Sequence, residues 1–446
     1  MASLFSPPQG AVRLLDAGGG EGALTEAFVG QWQATGPIAA DVYEIDEAII
    51  PVLTANLAKL ETDRIQLHPV HADFIDAASG RIGHEDWERY NRAILNPPYR
   101  KIATSSRERL LCRAAGLETV NLYSAFVGLA LELLEAGGEL VAIIPRSFCN
   151  GPYYRPFRKW LFARAALKQI HLFDSRRSAF AADDVLQENV IIHLVRDGEQ
   201  GDVRISTSSD AAFLDQRTMT YPSERIVAAD DPELIIHIPT DDTHIPDERF
   251  TVTLDAIGLT VATGPVVDFR MQKHLHAQAV ERSVPLLYPH HMKDGRLTWP
   301  IEGKKPNAIA ENSATHKWLV PKGWYVLVKR FSSKEERRRV VATLVDPSLL
   351  PGDMLGIDNK LNLLRQGRQP LPEMVARGLA AYLNTSEVDR SFRLFSGHTQ
   401  VNASDLRRMK FPTLQQLETI GRAALASSAN DQDAVDACVA GVIGAI

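Results

Sequence analysis

The chain has 446 residues, 45% of them hydrophobic and 23% charged, which implies about two or three domains and a globular chain able to bury a large core. Its net charge of -6 and pI near 6.1 exclude a protein coated in positive charge but leave room for a local basic cleft. No apolar run reaches the roughly 18–20 residues that a membrane span needs, so no membrane is expected.

Residues 11–195 alternate short apolar runs with longer helical patterns. Val12–Asp16 predicts a first strand, followed by a glycine turn and a helix to about Gln33. Ala40–Ile45 predicts a second strand, with a helix from Glu47 to about Leu60. Gln66–Val70 predicts a third strand and Arg92–Leu95 a fourth, which runs into Asn96-Pro97-Pro98-Tyr99. Asn121–Ala136 carries Leu122, Phe126, Leu129 and Leu133 on one face, an amphipathic pattern that Gly137-Gly138 should stop. Glu139–Ile144 predicts a fifth strand, Phe157–Ala166 a helix, and Lys168–Phe173 and Val190–Val195 two later strands. The alternation predicts an α/β fold with a mostly parallel, doubly wound sheet and helices on both faces.

Beyond the turn-rich stretch Arg196–Asp202 the chain reads as loop-rich and acidic to about residue 250, with Asp-Asp pairs at 230–231 and 241–242. The boundary is placed near 245, dividing a catalytic domain, 1–245, from a mixed α+β domain, 246–446. The tail after about residue 412 is Ala-rich and helical in pattern.

The first strand leads into Asp16-Ala-Gly-Gly-Gly-Glu-Gly22. Glycines let the backbone turn sharply and let a ligand approach the peptide groups, and ligands of such sheets bind at the carboxyl ends of the strands. A pyrophosphate would want a helix N-terminus free of acids. Here Asp16 ends the strand and Glu21 sits in the loop, which suits the cationic sulfonium and amino groups of S-adenosylmethionine. Glu44, ahead of Ile45 at the end of the second strand, can accept both ribose hydroxyls. Asp73 and Phe74 follow the third strand, where an acid can accept from the adenine amino group and an aromatic can flank the ring. A dinucleotide site is the weaker reading, because no pyrophosphate fingerprint is present.

Asn96-Pro97-Pro98-Tyr99 supplies the chemistry. An exocyclic amine is a poor nucleophile because its lone pair is delocalised into the ring. Two acceptors on its hydrogens, the Asn96 side-chain oxygen and the Pro97 carbonyl, pull the nitrogen toward tetrahedral geometry. Proline has no N–H, so Pro97 and Pro98 stiffen the loop without adding donors. Tyr99 can stack on a base that has left the duplex. Catalysis of this kind is mostly positioning, with methyl, amine and leaving sulfur in line. Neither motif alone carries the reading, since each occurs as a simple turn; their order and spacing carry it.

Together these residues resemble the gamma-class adenine-N6 DNA methyltransferases of bacterial restriction–modification systems. Within them the chain is similar to the Eco57I-type methylases, and particularly to the group that accompanies PstI- and BsuBI-like restriction enzymes. The resemblance extends to Asn121-Leu-Tyr-Ser-Ala-Phe126, Pro145-Arg-Ser-Phe-Cys-Asn-Gly151, Val185-Leu-Gln-Glu-Asn189, Thr263-Gly-Pro-Val-Val-Asp-Phe269 and Phe395-Ser-Gly-His-Thr-Gln-Val-Asn402. It implies a class I S-adenosylmethionine-dependent methyltransferase fold with a C-terminal target-recognition domain. It assigns Asp16, Gly18 and Gly20 to the methionine side of the cofactor, Glu44 and Ile45 to the ribose, and Asp73 with Phe74 to the adenine. Asn96, Pro97, Pro98 and Tyr99 form the catalytic loop, Asn96 also bordering the cofactor, and Phe180 falls where the family has a second aromatic against the flipped base.

The implied function is site-specific methylation of adenine N6 in double-stranded DNA, with S-adenosylhomocysteine as product and no metal. The cognate restriction endonuclease is a separate chain, a functional rather than a physical partner, and a monomer suffices. RNA or protein amines are the alternative substrates, and a truncated DNA-binding remnant the alternative to an enzyme. The last arises because the family carries a further cofactor motif, an aromatic followed by Thr-Pro, before the glycine loop. Only twelve residues precede Arg13, none carries it, and Met1-Ala-Ser-Leu-Phe5 resembles the helix that follows it. The expectation is a truncated gene or a start assigned too late, with cofactor affinity in doubt.

The N-terminus lacks the features of a signal peptide, and cysteines 112, 149 and 438 lack metal-ligand spacing, which fits the cytoplasm. Cys149 reads as a small core residue. His290-His291 and the pair His68 and His71 lack further ligands at metal spacing. Asp358-Asn-Lys360, with Asp346 and Asp353 upstream, is too loosely spaced for a nuclease core. Basic candidates for DNA contact are Arg100-Lys101, Arg155, Arg158, Lys159, Arg176-Arg177, Lys329-Arg330 and the mixed-sign run Lys334–Arg339. The best is the Arg390–Lys410 region, with Phe392, Phe395 and His398 among its charges.

Overall fold

The computed structural model describes all residues except 85, 174–187, 211–212, 229–230, 240–249, 251, 294, 333–336, 396–399, 427–430 and 445–446. The chain divides into two compact units, Met1–Asp241 and Asp242–Ile446, at the second Asp-Asp pair.

Among the described residues of the first unit, nine strands form one sheet. They are β1 (Val12–Ala17), β2 (Ile38–Glu44), β3 (Ile65–His71), β4 (Tyr90–Leu95), β5 (Leu134–Pro145), β6 (Ala165–Phe173), β7 (Asn189–Arg196), β8 (Val203–Ser208) and β9 (Arg217–Tyr221). The order is β3-β2-β1-β4-β5-β7-β6-β8-β9. The first five are parallel neighbours, β7 runs antiparallel between β5 and β6, and β9 is antiparallel to β8. The central strands bury most of their residues because helices cover both faces. These helices are α1 (Ala23–Trp32), α2 (Ile50–Ala58), α3 (Phe74–Arg81), α4 (Arg107–Ala114), α5 (Leu122–Leu133) and α6 (Arg155–Phe162).

Several expectations need correction. Helix α5 ends at Leu133, short of the glycine pair, and passes straight into β5, where Gly137 takes a left-handed φ of 79°. It is not amphipathic in effect, being buried almost all round. Leu117 covers its outer side so closely that a Cβ on Gly128 would lie 2.4 Å from a Leu117 methyl group. Helix α6 stops at Phe162, and Ala165 and Ala166 already belong to β6. The stretch read as loops after residue 203 contributes β8 and β9, polar strands toward the sheet's edge whose exposed positions hide the apolar alternation. Met1–Phe5 packs on α1: Ala2 and Phe5 are buried, and Trp32 Nε1 donates to the Ala2 carbonyl at 3.0 Å.

In the second unit, Thr260–Thr263, Leu361–Arg365, Tyr325–Lys329 and Ala342–Val345 form an antiparallel sheet. A second sheet orders Leu275–His276, Ala308–Ala310, Ser283–Leu287, Met354–Ile357 and Leu319–Pro321. The helices Glu373–Leu383 and Leu414–Ala426 cross at glycines: a Cβ on Gly378 would lie 1.9 Å from the Leu417 carbonyl oxygen, and one on Gly421 equally close to that of Met374.

Candidate active site

Strand register brings the two sequence signals together. In parallel pairing Ala17 faces both Tyr43 and Leu95, and Leu95 faces Ala142, so Gly18, Glu44 and Asn96 leave their strands at one edge. Gly18, Gly20 and Gly22 have φ of 76°, 56° and 92°, a region that favours glycine. The Gly18 and Gly19 amides both donate to the Tyr43 carbonyl, at 3.0 and 2.9 Å. A Cβ on Gly18 would lie 3.6 Å from the Phe126 ring and 4.0 Å from the Asn96 carbonyl oxygen. The glycine turn and the Asn-Pro-Pro-Tyr loop are thus next to each other.

Asp16 is fully buried beneath the turn. Its Oδ2 accepts from Thr25 Oγ1 at 2.7 Å, while its Oδ1 has no hydrogen-bond partner among the described residues. Burial raises this carboxyl to about 7; the Thr25 bond opposes the rise and the Glu44 charge adds to it. Glu44 organises both neighbouring loops. Its Oε2 accepts from the Gly20 amide at 3.0 Å, and its Oε1 from the Ile45 and Asp46 amides at 2.8 and 2.9 Å. Ile45, 62% exposed, offers an apolar surface beside it.

The adenine-side candidates take different places. Asp73 caps α3, its Oδ1 accepting from the Ile75 amide at 2.8 Å. Phe74 is buried, its ring 5.5 Å from Tyr43 and 5.0 Å from Phe126, and so supports the floor of the cradle rather than presenting a free face. Ile45 is the better placed of the two to flank a ring. An orphaned acidic oxygen, a carboxylate facing outward from β2, an exposed apolar side chain and an open turn at Gly20 together fit a cationic nucleoside.

Beyond β4, Asn96 and Pro98 are exposed, Pro97 is buried and Tyr99 is half-buried. The loop is pinned from behind, because Leu122 N donates to the Arg100 carbonyl and Ile102 N to that of Val120, at 2.8 and 2.9 Å. The Tyr99 hydroxyl lies 3.3 Å from Asn96 Oδ1 and 3.2 Å from the Ile143 carbonyl oxygen. Its ring meets Tyr123 edge-on at 6.3 Å, and Tyr123 stacks on Tyr154 and contacts Ser147 Oγ at 3.2 Å. The stretches 121–126 and 145–151 therefore line one side of the Asn-Pro-Pro-Tyr loop. Thr25, which bonds Asp16, and Phe126, which lies against Gly18, are not singled out by the sequence as neighbours of the glycine turn; only the Asn121–Phe126 stretch points near them.

Phe180 lies outside the described residues, as do most of Val185–Asn189, residues 396–399 and 333–336. Glu188, just ahead of β7, forms a buried ion pair with Arg146, just past β5, at 3.0 Å. Several basic candidates are engaged within the fold. Arg158 is fully buried and donates to the carbonyls of Phe148, Gly151 and Glu233. Arg339 is buried, and Phe392 is a core residue with the Arg339 guanidinium over its ring. Arg390 and Arg393 pair with Glu387 and Asp389 on their own helix, and Arg407 donates to the Val261 carbonyl. Arg100 and Lys101 remain exposed beside the Asn-Pro-Pro-Tyr loop.

The sheet, with its glycine turn after β1 and acid at the end of β2, defines a class I S-adenosylmethionine-dependent methyltransferase fold. The Eco57I restriction-modification methylase family matches residues 43–180. Over 436 residues the chain is 46% identical to the type II methyltransferase M.BsuBI of Bacillus subtilis, covering 95% of this chain and 87% of that one. It is 42% identical over 439 residues to M.PstI of Providencia stuartii, covering 94% and 86%. The type IIL restriction-modification enzyme MmeI, solved in complex with DNA, shares the fold with a TM-score of 0.55 at 12% identity, over 97% of this chain and 70% of that one. The chain belongs to the family of type II restriction–modification methyltransferases and is a site-specific DNA methyltransferase.

Proposed function

We propose that the chain methylates N6 of an adenine extruded from duplex DNA. The observation that carries this reading is the adjacency of Asn96 to the glycine turn. Asp16, Gly18, Gly20, Glu44 and Ile45 would hold S-adenosylmethionine, which would supply the methyl group, with S-adenosylhomocysteine as the product. Asn96 Oδ1 and the Pro97 carbonyl accept the two amine hydrogens. The Tyr99 proton, shared between two acceptors, can settle on the Ile143 carbonyl and free Asn96 for the amine. The two buried thiols of the first unit fit amine rather than ring-carbon chemistry. Attack on a pyrimidine ring needs a reactive thiolate, and burial pushes Cys149 up to about 12 and Cys112 to about 11. No metal is required. The reading includes a monomer acting in the cytoplasm to protect DNA from a cognate endonuclease carried on another chain.

The test is single-molecule sequencing of plasmid DNA from a methylation-free host expressing the chain. N6-methyladenine at one short repeated motif is expected. Unmodified DNA from a chain that binds S-adenosylmethionine in calorimetry would favour RNA or protein substrates; no cofactor binding would favour an inactive remnant.

Tyr99→Ala should weaken base capture by roughly 1–3 kcal/mol if stacking dominates. Tyr99→Phe keeps the ring and loses only the hydroxyl's hold on Asn96. Equal binding and turnover by both variants and the parent would show that Tyr99 only packs.

Asp16 predicts a pH dependence. Its folded pKa lies above the ordinary carboxylate value, so its contribution to stability is present below about pH 4 and is lost as pH rises through about 7. The full effect is about 4 kcal/mol for a rise of this size. A cationic cofactor favours the ionised form, so binding should release a proton and tighten between pH 6 and pH 8. Calorimetry in two buffers of different ionisation enthalpy should detect that proton, and Asp16→Asn should remove it. Buffer-independent binding by the parent chain would disprove the coupling.

A further inference from the structure

Three loops of the second unit meet around Asp268. Gly264 lets two of them touch, since a Cβ there would lie 2.2 Å from the Asp358 carbonyl oxygen. The Thr263–Phe269 stretch can then run beside residues 357–359, with Val266 N donating to the Ile357 carbonyl and Asn359 N to that of Val266, at 2.9 and 2.8 Å. Asp268 Oδ2 accepts from Lys305 Nζ at 3.0 Å and from Lys360 Nζ at 3.4 Å. Both lysines are about half exposed, and each ammonium has three donors, so both keep donors for a ligand. Phe269 is 66% exposed, with the Arg270 guanidinium 5.5 Å from its ring centre.

Behind this surface Lys305 Nζ lies 5.4 Å from the Tyr288 ring centre, and Lys360 Nζ lies 4.0 Å from Asp358 Oδ1. Asp358 Oδ2 and the Tyr288 hydroxyl are buried and have no hydrogen-bond partner among the described residues. Buried polar atoms are rarely left so without a ligand or a bound water to satisfy them.

The mixture of donors and acceptors selects among DNA contacts. Phosphates offer only acceptors and repel a carboxylate, so a phosphate seat has no use for Asp268. Base edges in the major groove present both kinds of group, and paired donors match guanine O6 and N7. A shared carboxylate holds the two ammonium groups side by side, as such a pair of acceptors requires.

We propose that Lys305 and Lys360 read a guanine edge of the recognition site, with Asp268 as their positioning residue and Phe269 in contact with the neighbouring base. The proposal rests on the DNA reading above. Lys305→Met and Lys360→Met keep the side-chain stem and remove the donors. Methylation would be measured on the native motif and on each single-base variant of it, together with the salt dependence of DNA affinity. Discrimination should fall roughly 5- to 150-fold at one guanine-containing pair, the span of one good bidentate contact, with the salt slope unchanged. Phe269→Ala should weaken preference at the adjacent pair.

Equal weakening on all sequences, with the salt slope reduced by about one per lysine, would make these phosphate contacts and overturn the proposal. Unchanged discrimination and affinity would make the cluster a solvated ion pair and overturn it too. A parent chain that modifies no DNA would overturn the DNA reading itself, which distinguishes that failure from one confined to the lysine variants.

Discussion

Asn96→Ala should reduce single-turnover methyl transfer by at least on the order of a hundred- to a thousandfold, the usual loss when one preorganised partner of a developing charge is removed. DNA affinity should change little, because Asn96 is one exposed side chain on a loop held from behind by the bonds of Leu122 and Ile102. Asn96→Asp separates chemistry from folding. Aspartate keeps an acceptor oxygen at the same reach, so it should recover much of the rate that alanine loses. If the alanine variant turned over within tenfold of the parent, the assigned role of Asn96 would be wrong. If aspartate were as inactive as alanine, the side-chain oxygen would not be the operative group.

Glu44→Ala should weaken S-adenosylmethionine binding roughly 10- to 100-fold, since hydrogen bonds to a charged group contribute about 1.5–3 kcal/mol each. Part of the loss is indirect. The carboxylate accepts from the Gly20, Ile45 and Asp46 amides, so its removal loosens the turn and the loop together. Glu44→Gln should rescue little, because either orientation of the amide sets its NH2 against a backbone N–H. Calorimetric titration measures this, and an affinity within threefold of the parent would remove Glu44 from the site.

Much of this site was legible in the residues. Val12–Asp16, the glycines and Asn96-Pro97-Pro98-Tyr99 are local signals: a largely apolar strand ending in an acid, a turn needing left-handed φ, and a proline pair that adds no N–H donors. Their meaning depends on short range, so sequence carries it. Partner-dependent features were misread. Phe74 looked like a ring for stacking until Tyr43 and Phe126 were found against it. Helix α5 looked amphipathic because its outer cover, Leu117, lies in a preceding segment. Arg158, Arg339 and Phe392 looked like a DNA surface; burial and carbonyl or ring partners make them core.

By itself the sequence determined the alternating architecture, the order of the cofactor and catalytic signals, and the chemistry those residue types allow. Only the tertiary structure decided that Gly18 and Asn96 are neighbours, because parallel register between β1 and β4 joins positions nearly eighty residues apart. It alone made Asp16 a carboxyl titrating near neutrality, since desolvation is a property of what surrounds a group. It also gathered Asp268, Lys305 and Lys360, which no spacing links: Gly264, lacking a Cβ, lets the Asp268 and Lys360 loops touch, and the Asp268 carboxylate draws in Lys305.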